Sequence, residues 1–331
     1  MSKKPSKKPS KRKIPKKKNM KTSKKTRKKT NSLKIITSTL NNAIVNGNLK
    51  KVKELLKKGA NPNEFTNVWC SPKMHNRRYA WIDCKLDDIG CKCGSLGTSL
   101  HLALFLRNKK VIYALLDHGV DVNLTHDSFK LSPLQLGVYC GIDIIKELYK
   151  KGCKDVNYID FEGESVLMQA VWNEHASTKD DRLDIIKFLV SKGANVNFKE
   201  NVLGSTPLEM ACKIGHINVI KYLISKGANV NNVNKRKRTP LHEAIVQDKK
   251  NSNCNKLQIV KLLIDKGSKV NTQSKETKSS PLLSATAYGL TSIVKLLLSK
   301  GATKNIKDNN KMTPLEIAEW KGFHSIVTLL K

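Results

Sequence analysis

The stretch TPLEMACKIGHINVIKYLISKGANVN, residues 206–231, decides the fold of this chain. Thr206 is a favoured helix N-cap, because its hydroxyl can accept from a backbone amide that has no partner inside the helix. Pro207 fits the first helical position, which needs no amide donor. Gly215 closes this helix, since glycine adopts the left-handed conformation at a helix end without strain. The first half of the stretch therefore predicts one short helix.

The second half of the stretch predicts another helix. Its apolar residues lie at helical spacing and form a single stripe: Ile217, Ile220, Leu223 and Ile224. Gly227 ends this helix, and the Asn-rich residues after it are typical of a turn. Neither helix is long enough to bury its stripe alone, so such hairpins must stack on their neighbours to be stable.

The same pattern recurs along the chain, with a basic period of about 33 residues. A Thr/Ser-x-Leu tripeptide begins at seven positions separated by steps of 33, 34 or 41 residues: Thr98, Ser132, Ser165, Thr206, Thr239, Ser280 and Thr313. The apolar stripe also precedes the first tripeptide, at Leu49, Val52, Leu55 and Leu56. The chain is therefore predicted to be an array of helical hairpins.

Three motifs carry a family resemblance. The TPLH start at 239–242, the Gly-His pair at 215–216 and the Gly-Ala-x-Val-Asn ending resemble ankyrin repeats. The resemblance implies an all-α solenoid of stacked helix-turn-helix units with projecting β-hairpin fingers. The predicted array spans residues 37–331, with about eight units at 37–63, 98–131, 132–164, 165–205, 206–238, 239–279, 280–312 and 313–331. Its Lys-, Asn- and Ile-rich style is similar to ankyrin-repeat proteins of giant DNA viruses.

The histidine of the ankyrin signature is present only at His101 and His242, where we expect a structural hydrogen bond near the helix start. Other residues replace it in the remaining units: Gln135, Met168, Glu209, Leu283 and Glu316. Because the family builds a hydrogen-bond network on this histidine, we expect the network to be incomplete and the units to be unevenly stable.

Two of the repeat steps are longer than the others. The steps of 41 residues place about eight extra polar residues at 174–181 and near 249–256, between the two helices of a unit. We interpret both insertions as tolerated loop growth, which costs little closure entropy. A lateral contact with a partner is the alternative.

A third insertion, the inserted finger at 64–97, is rich in aromatic residues and cysteines. Trp69 and Trp81 are candidates for contact with a partner. Zinc is an alternative use of this segment, because thiolates can close a tetrahedral site, and the candidate ligands are Cys70, Cys84, Cys91 and Cys93. Only one residue separates Cys91 from Cys93, which fits zinc motifs poorly. A packed irregular hairpin is the main prediction, and a redox or partner-contact loop stays open.

Charge sets the N-terminal segment apart. The chain has a formal net charge of +35, and residues 1–30 contain sixteen Lys and Arg and no acid. Residues 1–36 cannot bury a core and are predicted to be a disordered basic tail. A run in this tail resembles a nuclear-import signal: Lys11, Arg12, Lys13, Lys16, Lys17 and Lys18. Non-specific binding of nucleic acid by counterion release and a purely solubilising role are the alternatives.

Cysteine usage and hydropathy bear on the compartment. The cysteines outside the inserted finger stand alone in sequence, as small buried thiols do in a reducing environment. No apolar run approaches the roughly 18 residues of a membrane-spanning helix. We expect an intracellular monomer, in the cytoplasm or nucleus, of a host cell if the chain is viral.

No catalytic motif is present: the sequence has neither a Gly-Lys-Ser/Thr phosphate loop nor a His-Glu-x-x-His helix. We therefore expect no enzyme and no cofactor. The resemblance implies a protein partner held by the fingers and the concave face. The finger residues predicted to contact it are His126, Phe129, Tyr158, Asp160, Phe161, Phe198, Glu200, Lys235, Arg236, Lys237 and Arg238. The main hypothesis is a non-catalytic adaptor, and the alternative is a nucleic-acid-associated protein that uses the tail and finger 235–238.

Overall fold

The structure, a computed structural model, describes residues 24–67, 96–125, 130–173, 179–246 and 256–331. These ranges form sixteen helices and two short strands. The helices are α1 (Lys24–Val45), α2 (Leu49–Lys57), α3 (Ser99–Phe105), α4 (Lys109–Asp117), α5 (Pro133–Gly137), α6 (Ile142–Lys150), α7 (Val166–Trp172), α8 (Lys179–Ser191), α9 (Pro207–Ile214), α10 (Ile217–Ser225), α11 (Pro240–Val246), α12 (Lys256–Asp265), α13 (Pro281–Ala287), α14 (Thr291–Ser299), α15 (Pro314–Trp320) and α16 (His324–Leu330).

Consecutive helices pair into hairpins, and the hairpins stack in two layers. The odd-numbered helices form one layer, in which α9 packs against α11 and α11 packs against α13. The even-numbered helices form the other layer, in which α12 packs against α14 and α14 against α16. The predicted all-α solenoid is confirmed.

The helix ends follow the chemistry that the sequence indicates. Thr206 has an extended backbone, and its Oγ1 accepts from the amide of Glu209 at 3.4 Å. Pro207 is the first helical residue of α9. Gly215 ends α9 in the left-handed conformation, with φ of 89°. The predicted N-cap and glycine end are both confirmed.

The core is a thin aliphatic layer between the two helix layers. Ile220 and Leu223 of the predicted stripe are buried, and Val219 is buried beside them. Ile217 and Ile224 are only partly buried at the edge of the core. Among the described cysteines, Cys140, Cys153 and Cys212 are buried free thiols. Burial raises the pKa of Cys140 to about 12 and that of Cys153 to about 11, so both thiols stay protonated near neutral pH.

Asparagines of the repeat clamp each unit to the next. The Nδ2 of Asn197 donates to the carbonyl of Gly227 at 2.9 Å, and its Oδ1 accepts from the amide of Asn229 at 2.8 Å. The same pair of bonds is made by Asn157, Asn231 and Asn271. The Asn-rich sequence predicts local turns only, whereas these asparagines bridge adjacent units.

The network at the signature position is incomplete, as expected, but fewer units lack its hydrogen bond than the missing histidines suggest. The Nδ1 of His242 lies 3.2 Å from the amide of Thr239. His101, Gln135, Glu209 and Glu316 make the equivalent contact with the amide of their own N-cap residue. Gln and Glu can replace His because each presents a side-chain acceptor three residues after the cap. Only Met168 and Leu283 lack one.

The N-terminal boundary differs from the prediction. Helix α1 begins at Lys24, whereas the disordered tail was expected to reach residue 36. The three prolines of the tail all lie before this helix, and lysine is a good helix former. Leu40 and Ile44, which are fully buried, attach α1 to the core. The predicted import signal at residues 11–18 lies outside the described residues.

The insertions lie where the repeat steps place them. Strands β1 (Thr66–Asn67) and β2 (Leu96–Gly97) pair in antiparallel register and enclose the inserted finger. Residues 68–95, which include Trp69, Trp81 and the candidate zinc ligands, lie outside the described residues. Both longer steps fall between two helices, but residues 179–181 already belong to α8. Arg182 donates to the carbonyl of Asn173 and so holds the start of α8 against the end of α7.

Candidate partner-binding surface

The inner face of the array carries a line of large apolar side chains. This face comprises the odd-numbered helices and the adjoining sides of the fingers. The line contains Trp172, Met210 and Val246, which are partly buried, and Tyr288 and Trp320, which are exposed. Tyr288 is 52% exposed and Trp320 is 76% exposed, which is unusual for such large side chains. Apolar side chains left accessible on one face of a repeat array are typical of an interaction surface.

Two cavities, of about 260 Å³ and about 410 Å³, follow this line. Arg238 and Val246 line both cavities, so the two form one groove, named here the inner groove. Its lining mixes apolar, basic and acidic side chains, among them Trp172, Met210, Tyr288, Lys213, Arg236, Lys321, Glu200, Glu209, Glu243, Glu276 and Asp308. The inner groove can therefore accept apolar side chains, and acidic side chains where they meet Lys213, Arg236 or Lys321.

Arg238 lies at the junction of the two cavities. Its Nε is 2.8 Å from Oε1 of Glu243, an ion pair outside hydrogen-bond geometry. Its Nη2 is buried and has no hydrogen-bond acceptor within the described part of the chain. A buried guanidinium donor without an acceptor is costly. A carboxylate from a bound partner would supply the missing acceptor in bidentate geometry.

Basic side chains lie over aromatic rings on this face. The Nζ of Lys213 is 5.8 Å from the centroid of the Trp172 ring, and that of Lys321 is 5.7 Å from the Trp320 ring. These distances are within the range of cation–π attraction. The aromatic side chains are thus flanked by positive charge, which favours an acidic partner.

Glu209 is the buried carboxyl of the inner groove. Its Oε1 accepts from Nδ2 of Asn232 at 2.9 Å. Burial raises the pKa of Glu209 to about 7, and these hydrogen bonds only partly oppose the effect. The carboxyl is therefore partly protonated near neutral pH.

Two predicted contact residues, both acids, are nearly buried and make hydrogen bonds inside the fold. Asp160 is 8% exposed, and its carboxylate accepts from the amides of Glu162 and Glu164 at 3.0 and 2.9 Å. Glu200 is 3% exposed, and its Oε1 accepts from the amide of Leu203 at 2.7 Å. The prediction that Asp160 faces a partner is wrong, because its carboxylate satisfies the amides of its own tight turn. Glu200 does the same for its turn but also lines the smaller cavity of the inner face, so its contact with a partner stays a prediction.

The aromatic finger residues divide by exposure. Phe161 is 60% exposed. Tyr158 and Phe198 are half-buried, and Tyr158 packs against the core. His126 and Phe129 lie outside the described residues.

The basic finger 235–238 presents less positive charge than its sequence suggests. The Nζ of Lys235 donates to the carbonyl of Asn201 at 2.6 Å, in the preceding finger. Arg236 pairs with Glu276 of the following finger at 3.3 Å. Arg238 pairs with Glu243, whereas the ammonium groups of Lys235 and Lys237 are exposed and make no ion pair with a described residue. Two of the four positive charges are therefore paired with acids.

Among the described residues, no three His, Cys, Asp or Glu side chains group closely enough to hold a metal ion. Burial lowers the pKa of His242 to about 4, so its imidazole is neutral near pH 7 and is held by the cap of α11. Over the same residues, no helix combines the length and apolar character needed to cross a membrane.

The family model for ankyrin repeats matches the chain three times, at residues 100–200, 174–274 and 250–331. The chain belongs to the ankyrin-repeat family. Ankyrin repeats generally mediate interactions between proteins. The described units and the matched residues agree from the second unit to the last.

Individual relatives share the repeats only. The chain is 25% identical over 289 residues to rabankyrin-5 of Homo sapiens, covering 72% of this chain and 25% of that protein. It is 30% identical over 160 residues to the ankyrin repeat protein FPV031 of fowlpox virus, covering 46% of this chain and 45% of that protein. A 30% identical stretch of 120 residues matches the glycerophosphocholine phosphodiesterase GDE1 of Candida albicans, 36% of this chain and 10% of that protein. The chain thus spans less than half the length of each of these relatives.

Proposed function

We propose that the chain is a non-catalytic adaptor that holds an acidic, partly apolar segment of a protein partner in the inner groove. The observation that carries the proposal is the Nη2 of Arg238, a buried donor at the junction of the two cavities that has no hydrogen-bond acceptor in the described structure. Aromatic and Arg side chains are the residue types that dominate binding energy at protein interfaces. Both occur here on one continuous surface.

The proposed occupant follows from the lining of the inner groove. Its apolar side chains would pack on Met210, Val246 and Tyr288, and a carboxylate would bind Arg238. Lys213 and Lys321, which lie over the rings of Trp172 and Trp320, would attract acidic residues of the partner. No step of this function requires bond making, which is consistent with the structural role of His242.

The test replaces two exposed aromatic residues: Tyr288, which lines the inner groove, and Trp320, which precedes the lining residue Lys321. We expect the double variant Tyr288→Ala/Trp320→Ala to fold normally, because both side chains are largely exposed. Proteins captured by the full chain should then be purified and their dissociation constants measured against parent and variant. Loss of two interface anchors is expected to weaken binding by about 30-fold or more.

The matched control is Leu257→Ala in α12, a side chain that is 42% exposed in the other helix layer. We expect this variant to bind as tightly as the parent chain. Equal affinities for the parent and the Tyr288/Trp320 double variant would refute the inner groove as the binding site.

A further inference from the structure

The fingers of the second half of the array share one backbone conformation. The residue two positions before the N-cap has a positive φ in each of them. Glycine occupies this position in two fingers, as Gly163 and Gly204. Lysine occupies it in the next three, as Lys237, Lys278 and Lys311, with φ of 53°, 49° and 63°. A side chain other than glycine is disfavoured in this conformation, yet three consecutive fingers carry the same basic one.

Backbone hydrogen bonds hold these fingertips in a fixed row. The amide of Lys235 donates to the carbonyl of Leu203 at 2.7 Å, which joins two adjacent fingers. The amide of Lys275 donates to the carbonyl of Arg236 at 2.8 Å, and that of Asn309 donates to Thr277 at 3.0 Å. Each finger is thus bonded to the finger before it, and the lysines recur once per finger in a constant register.

The acids near this row are already engaged. Glu276 pairs with Arg236 at 3.3 Å. The carboxylate of Asp308 accepts from the amides of Asn310 and Met312 at 2.8 and 3.0 Å. Lys237, Lys278 and Lys311 are all exposed and make no ion pair with any residue that the structure describes. Three outward ammonium groups therefore lie along one edge, named here the lysine edge.

We propose that the lysine edge binds the phosphate backbone of nucleic acid. A regular row of single positive charges matches a polymer that carries one negative charge per repeating unit, and binding would be driven by counterion release. Lysine suits this role because it contacts phosphate as a point charge and does not need the bidentate geometry of arginine.

Residue types at the fingertips favour nucleic acid over an acidic protein. The segments 231–238, 271–279 and 304–312 contain no aromatic residue. Protein interfaces are depleted in lysine and rely on aromatic anchors, which the lysine edge lacks and the inner groove has. The lack of aromatic side chains also excludes base stacking by these segments, so binding would be independent of base sequence. Lys237, Lys278 and Lys311 do not line the inner groove, although their fingers do, so the proposal does not depend on the adaptor proposal.

The experiment compares two triple variants of the full chain that have the same net charge. The test variant is Lys237→Gln/Lys278→Gln/Lys311→Gln. The control is Lys221→Gln/Lys261→Gln/Lys295→Gln, which removes three exposed lysines of helices α10, α12 and α14. Binding to a DNA duplex of about 20 base pairs is measured by fluorescence anisotropy over a series of salt concentrations. Circular dichroism melting of each variant checks that the array remains folded.

The test variant is expected to flatten the plot of log affinity against log salt concentration by about 2.7, since each lost phosphate contact removes about 0.9 from the slope. The control is expected to keep the slope of the parent chain, whose basic tail is the same in all three proteins. Equal slopes for test and control would overturn the proposal. So would a test variant that keeps its affinity for the duplex while losing affinity for a polyglutamate peptide, because the edge would then recognise acidic proteins.

Discussion

Two fingers of the array, 157–164 and 231–238, have the same turn but use their charges in opposite ways. In the first, Asp160 accepts from two backbone amides and from the side-chain amides of Gln135 and Gln169. In the second, Asn234 accepts from the two equivalent amides, and the charged residues lie on the outside. The acids of finger 157–164 stabilise the fold, whereas Lys237 of finger 231–238 is proposed to bind a ligand.

The left-handed position explains why only one of these fingers carries a lysine. A Cβ added to Gly163 would lie 2.6 Å from Nδ2 of Asn201, in the next finger, so this site requires glycine. Lys237 occupies the equivalent position with its side chain exposed to solvent. Packing of the following finger thus decides whether a side chain is tolerated there.

The largest predicted effect comes from forcing a lysine into the first finger. We expect Gly163→Lys to lower the free energy of unfolding by about 3 kcal/mol, from left-handed strain and from the clash with Asn201. Gly204→Lys is the matched control, because a Cβ there would meet no atom closer than 3.9 Å and only strain of about 1 kcal/mol remains. Urea unfolding of both variants measures the difference. Equal losses would show that Asn201 does not restrict this position.

A smaller effect on stability is predicted from the titration of Glu209, a buried acid of the inner groove. Its pKa is raised to about 7 by burial, so between about pH 4.5 and pH 7 the folded chain binds more protons than the unfolded chain. Stability should therefore fall as pH rises through this window, by on the order of 2 kcal/mol. We expect Glu209→Gln to lose this dependence while keeping the cap, as Gln135 does in the third unit.

Urea unfolding at pH 5 and pH 8 measures the dependence for the parent chain and for Glu209→Gln. Other titrating groups are common to both proteins, so the difference between the two curves isolates Glu209. Identical pH dependence in parent and variant would contradict the assignment.

The smallest effect on the free energy of unfolding is predicted for a change from lysine to glycine, the reverse of the change at residue 163. Lys237→Gly should relieve the left-handed backbone and change the free energy of unfolding by no more than about 1 kcal/mol in the stabilising direction. Thermal melting gives the sign. A clear loss of stability would mean that the Lys237 side chain supports the fold, and its proposed availability to a ligand would then be wrong.

Local features of the fold could be predicted from the sequence because their partners are close in the chain. The cap at Thr206 and the end at Gly215 each depend on a residue within a few positions. The clamp made by Asn197 could not be assigned in this way, since its partner Gly227 lies 30 residues further along. The recurrence of this asparagine in both GANVN segments was the available signal. Recurrence alone, however, does not show which other residue the asparagine contacts.

The candidate site was predicted less completely. Asp160 and Glu200 were placed on the surface because turn acids usually are, yet their carboxylates point into the turn. An Asp or Asn five residues before the N-cap, as at Asp160, Asn234 and Asp308, was a signal for an internal acceptor. The inner groove was missed as a cavity because it depends on how side chains of separate units meet.

We expect the acids of finger 157–164 to stabilise the fold and the lysine edge to contribute nothing to stability. The most direct measurement is the free energy of unfolding of Asp160→Ala beside that of Lys237→Gln/Lys278→Gln/Lys311→Gln. Asp160→Ala removes the acceptor of two backbone amides, and it removes one of two acceptors from each of Gln135 and Gln169. The substitution should therefore cost about 3 kcal/mol. The triple variant should change stability by less than about 0.5 kcal/mol, as exposed substitutions do. A triple variant that loses as much stability as Asp160→Ala would contradict the claim.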